Sequence, residues 1–145
     1  MLTRLLSAFR KSEPEPLPEP DTDLALGALL VRVAMSDNEY QIEEISRIDR
    51  ILAKLFDLDP VEAAKMRATC EKLHRAAPDT DVFAELIRLE LGYDDRLAAL
   101  EALWQVVLAD GEQQQPEVNI VRDAQLVLGL SDVDSATARA RAMNA

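Results

Sequence analysis

From Asp21 to the C-terminus, apolar residues recur every three or four positions, the spacing of one face of an α-helix. Leu26, Leu29, Leu30 and Val33 form one such stripe, and Ile45, Ile48, Ile51, Leu52 and Leu55 form another. No stretch shows the period of two expected of a half-buried strand. Punctuation falls between the stripes. Asp59-Pro60 offers a cap followed by proline at the first helical position, and Gln115-Pro116 repeats the proline. Asp79 or Thr80 can cap the segment running on from Val82, and Ser131 or Asp132 can cap a last helix. Gly92 and Gly129 stand where helices are expected to stop. The pattern predicts helices over 2–10, 22–36, 41–56, 60–76, 80–91, 94–109, 116–128 and 132–142. It implies an all-α fold, a single-domain helical bundle of about seven to eight helices. Leu97, Leu100, Leu103, Trp104, Val107 and Leu108 give the 94–109 segment a broad apolar surface, so it is expected to be the most buried helix.

The chain divides into residues 1–20 and a helical domain over 21–145. Between Ser12 and Pro20 proline alternates with acid, which forbids continuous helix and predicts an extended, solvated linker. Ahead of it, Leu2, Leu5, Leu6 and Phe9 recur at helical spacing while Arg4, Arg10 and Lys11 lie off that stripe, the pattern of a short basic amphipathic helix. Such a leader either frays or docks on the domain, or touches an anionic membrane surface, which one short helix does only weakly. Residues 1–11 lack the long apolar core and the cleavage site of a signal peptide, and no apolar run approaches the ~18–20 residues of a membrane span. The expectation is a soluble, cytoplasmic protein with at most peripheral membrane contact through residues 2–11.

An internal two-fold sequence repeat organises the domain. Leu30-Val31-Arg32-Val33-Ala34-Met35-Ser36-Asp37-Asn38-Glu39 lies 73 positions before Leu103-Trp104-Gln105-Val106-Val107-Leu108-Ala109-Asp110-Gly111-Glu112. The register continues through Glu44 with Glu117 and Ile48 with Val121, then shifts by one residue before Leu58 and Leu130. Each copy reads as an apolar helix, an acidic turn and a second apolar helix, with an Asp at the end of the first helix, a Glu in the turn and a Glu in the next first turn. Two physical accounts fit. The carboxylates can cap helix N-termini, with Gly111 and Asn38 supplying left-handed turn residues. Alternatively, Asp37, Glu39 and Glu44, and Asp110, Glu112 and Glu117, provide oxygen ligands for a hard divalent cation such as calcium or magnesium. The spacing is too short for an EF-hand loop, so any such site is of another type.

These residues resemble the tellurite-resistance protein B (TerB) family, including the related helical domain of a membrane-anchored DnaJ-type co-chaperone. Leu-Trp-Gln-Val-Val-Leu-Ala-Asp-Gly-Glu (103–112), Glu117 and Leu128-Gly129-Leu130 look like the family's second-half signature, and Val33 to Glu39 with Glu44 look like its first half, with Asn38 in place of the usual glycine. The resemblance covers about residues 22–142. It implies an internally duplicated helical fold with an acidic, metal-chelating surface linked to responses to tellurite, phage or membrane damage.

Charge and chemistry narrow the rest. A net charge of −11 and a pI near 4.5 oppose nucleic-acid binding and favour cations or basic partners. The single cysteine, Cys70, makes no internal disulfide, and with the single histidine, His74, it offers only a remote Cys–His dyad on one helix face. There is no glycine-rich phosphate loop, and Trp104 reads as core rather than as a ligand platform. The expected function is a non-enzymatic acidic module binding a divalent cation, a protein partner, or both. The alternative is an interaction adaptor or homodimer in which the acidic turns only cap helices. A metal-dependent hydrolase, which would need an open metal position in a pocket, is a more remote third.

Overall fold

Asp21, Asp59, Asp79 and Ser131 each place a side-chain oxygen on an amide in the first turn of the helix that follows, accepting from Leu24, Glu62, Asp81 and Asp134 at 2.8–3.0 Å. These caps fix where four helices begin. The computed structural model describes residues 17–77, 79–109 and 115–145. Within them lie seven helices and no strand: α1 Thr22–Met35, α2 Ile42–Phe56, α3 Pro60–Ala76, α4 Thr80–Glu90, α5 Tyr93–Val107, α6 Gln115–Val127 and α7 Asp132–Met143. The helix expected over 2–10, and most of the linker, lie outside the described residues. No helix among the described residues is long and apolar enough to cross a membrane.

α1 occupies the centre, touching α2, α3, α4, α5 and α6, and every residue from Ala25 to Ala34 is buried. The expectation that the 94–109 segment would be the most buried is therefore corrected. α5 buries eight residues, but its polar Glu101 and Gln105 sit on an edge that is only half-covered. The small residues Ala25, Gly27, Ala28 and Ala34 let neighbours approach α1 on all sides. At Gly27 the neighbour is Cys70 of α3, whose sulfur lies where a methyl group would stand.

α2 and α6 end in the same way. Asp57 (φ 53°) and Gly129 (φ 72°) adopt the left-handed conformation, and the next amides, Leu58 and Leu130, donate back to the carbonyls of Ala53 and Gln125 at 3.0 and 3.1 Å. In both, a capping box then opens the following helix, Asp59 with Glu62 and Ser131 with Asp134. Gly92 behaves differently from expectation. It is the N-cap of α5 in extended conformation (φ −74°), and α4 has already ended at Glu90, with Leu91 as its C-cap. α7 closes the bundle against α5, where Trp104, 8% exposed, donates to Ser135 Oγ at 3.1 Å and Arg139 lies over its ring.

Candidate functional site

The first acidic turn is built from local hydrogen bonds. Past α1, Asn38 takes a left-handed conformation (φ 64°), and its amide donates to Met35 O at 3.1 Å. Asp37 Oδ1 accepts the Glu39 amide at 3.0 Å, closing an Asx-turn. Glu39 is exposed and accepts from the Gln41 side chain. Glu44 reaches back from the first turn of α2 to accept the Gln41 amide at 3.3 Å, half of a capping box, and is only 1% exposed. In the second turn Glu117 holds the matching place in the first turn of α6 and is also 1% exposed. Asp110 and Glu112 lie outside the described residues. Among the described residues, no group of three or more His, Cys, Asp or Glu side chains is gathered closely enough to hold a metal ion. Asp37, Glu39 and Glu44 are thus placed as a turn and cap, with one carboxylate buried.

Beside this turn a network ties α2 to α3. Arg67 bridges Asp49 at 2.6 Å and Glu71 at 3.1 Å. Tyr40 packs nearby, its phenol pushed up by burial first and then by the Glu71 charge.

Sequence reasoning missed a second polar cluster, centred on Arg32. This guanidinium, 7% exposed, stacks over Phe83 at 5.2 Å. It donates from Nε to His74 Nδ1 (3.0 Å) and from Nη2 to the carbonyls of His74 (3.0 Å) and Ala77 (2.5 Å). Arg32 thereby caps the C-terminus of α3 from the middle of α1. The available signal was a lone arginine inside an otherwise apolar run, Leu29 to Met35. The Cys70–His74 dyad is not formed as chemistry. Cys70 is fully buried, its Sγ is directed at Leu24 O, and burial pushes its thiol up to about 12, whereas His74 is engaged by Arg32.

Because His74 accepts from Arg32, it is held neutral, and its pKa falls below the ordinary value through burial first, then Arg32 and Arg75. A depressed histidine contributes stability that is complete above about pH 6.5, the unfolded value, and is lost as pH falls toward the folded value. His74 is the one histidine in the chain, so an NMR titration reads it directly. Its midpoint is expected below 6.5, and His74→Asn, which keeps an acceptor, should remove the part of the stability loss below about pH 6.5 that belongs to it. A midpoint at or above 6.5 would show that Arg32 does not face the ring.

Compared with known proteins, the chain matches the family model described as "Tellurite resistance protein TerB" over residues 23–140. No curated protein and no solved structure matches.

Proposed function

The chain belongs to the tellurite resistance protein TerB family, and on that basis we propose that it is a non-enzymatic acidic module of a tellurite- or stress-response system that uses an acidic turn to take a divalent cation such as calcium or magnesium, a protein partner, or both. The observation that carries this reading is the matching placement of Glu44 and Glu117, each in the first turn of a helix that follows an acidic stretch of sequence. Carboxylate oxygens of Asp and Glu are the ligands that a hard cation takes. The ligands would be Asp110, Glu112 and Glu117 of the second copy, since Asp37, Glu39 and Glu44 of the first are not gathered closely enough to hold an ion by themselves. The parallel turns at the ends of α2 and α6 support treating the two as copies of one unit.

The second reading, an adaptor or homodimer whose acidic turns only cap helices, is favoured by the Asx-turn of Asp37 and the capping hydrogen bond of Glu44. Asparagine separates the two, because it caps about as well as aspartate but lacks the charge. On chelator-treated protein, calorimetry with calcium and then magnesium should give saturable heat. At one hundred times the dissociation constant the fold should gain about 2.7 kcal/mol. Asp110→Asn should abolish the heat while leaving the metal-free melting temperature near that of the wild type. If neither ion gives heat or a shift at millimolar concentration, the carboxylates are caps and the partner is a protein.

A further inference from the structure

At the end of the bundle where α1 and α5 begin and α2 and α4 finish lies a cavity of about 410 Å³. Leu26, Leu55, Phe56 and Leu91 give it an apolar lining, and Leu55 is 45% exposed. Its ionisable lining residues, Asp23, Glu90 and Asp95, are all acidic. Four other surface cavities each carry at least one arginine. Here the apolar surface and the negative charge are joined in one groove.

We propose that this groove is the docking site of the chain's own leader, residues 2–11, which sets Leu2, Leu5, Leu6 and Phe9 on the apolar lining and Arg4, Arg10 and Lys11 among the three carboxylates. Charge complementarity and tethering choose this occupant. The linker runs into Asp21, the N-cap of α1, and the next two residues, Thr22 and Asp23, already line the cavity. A nine-residue proline-rich tether reaches about 28 Å when extended, so the leader has ample chain to fold back onto a groove at its own root. Tethering at this range gives an effective concentration of about a millimolar, so a contact too weak to hold a separate peptide is occupied within one chain. Asp23 fits the role further. Burial, and then Asp21, raise its pKa, and a cation laid beside it relieves that crowding. Docking also covers apolar surface that would otherwise be open to water or to other chains.

The test uses the full chain carrying a nitroxide at Ser7→Cys. Ser7 lies off the apolar stripe, and Cys70 is buried with its thiol pushed up to about 12, so labelling at neutral pH is selective. Amide signals around Leu55, Leu91 and Asp95 are expected to be lost through paramagnetic relaxation. They should return when Phe9→Ser is added, and weaken their response in Asp95→Lys, an exposed position whose change leaves the core intact. Phe9→Ser lies outside the helical domain, so a folded domain is assured for the comparison. A sample mixing spin-labelled chains with separately isotope-labelled chains should show no such loss. The proposal is overturned if the signals near the groove are unaffected, if the loss survives Phe9→Ser, if it occurs only between separate chains, or if the leader binds anionic phospholipid vesicles while never broadening the domain.

Discussion

Gly27→Ala is expected to destabilise the protein, although alanine is the better helix former. The added methyl would overlap the Cys70 sulfur and would sit in ordinary contact with Leu52. Overpacking of this kind costs about 1–3 kcal/mol, and the gain in helix propensity offsets up to about 1 kcal/mol of it. A net loss of about 2 kcal/mol lowers the melting temperature by about 4–8 °C in a domain of this size. The clash has a single partner, which makes the cause separable. Cys70→Ala removes the sulfur and so should rescue Gly27→Ala, the double variant being more stable than the sum of the single changes by about 1–3 kcal/mol. Simple additivity of the two changes would show that α1 and α3 do not meet at this point.

Arg32→Met should have the larger effect. The methionine keeps the stem in place over Phe83 but withdraws the donors from His74 Nδ1 and from the carbonyls of His74 and Ala77. Hydrogen bonds to a charged donor contribute about 1.5–3 kcal/mol each, and burial of the guanidinium, which lowers its own pKa, takes back part of that. A net loss of about 2–4 kcal/mol is expected by denaturant titration. Lysine should rescue only in part, because one ammonium does not reproduce a planar fork serving a ring nitrogen and two carbonyls. The same variant has a second readout, since removing the positive neighbour should move the His74 midpoint back up toward 6.5. A neutral change in stability would mean that the cost of burying the cation cancels its bonds, as happens in some buried ion pairs.

What the sequence made legible follows from how local each signal is. Asp59-Pro60 and Ser131 marked helix starts because a cap and its amides lie within three residues of each other. Asn38 was readable as a left-handed position for the same reason. Gly92 was misjudged because only one residue, Leu91, separates it from the end of α4, and a glycine there serves the next helix as readily as it ends the last. The centrality of α1 was hidden by its alanines and its glycine, which count little as apolar side chains yet allow the closest approach of neighbours. The Arg32–His74 contact spans 42 residues, and the acidic groove draws on four helices. Spacing along the chain carries no information about such meetings. Of the candidate site, the turn chemistry of Asp37 and Glu44 could be anticipated, but the depth to which Glu44 and Glu117 are buried could not.

The all-round burial of α1 also sets a problem of timing. During synthesis α1 emerges ahead of the helices that enclose it, and α6 begins about eighty residues after α1 ends, some 4–16 s later at ordinary translation rates of about 5–20 residues per second. Through that interval Leu26, Leu29, Leu30 and Val33 have no complete enclosure. The nascent chain therefore presents a long-lived, nearly uncharged helix-forming stretch, a natural target for ribosome-associated chaperones. Truncated chains that end before α5 should be captured by such chaperones or aggregate.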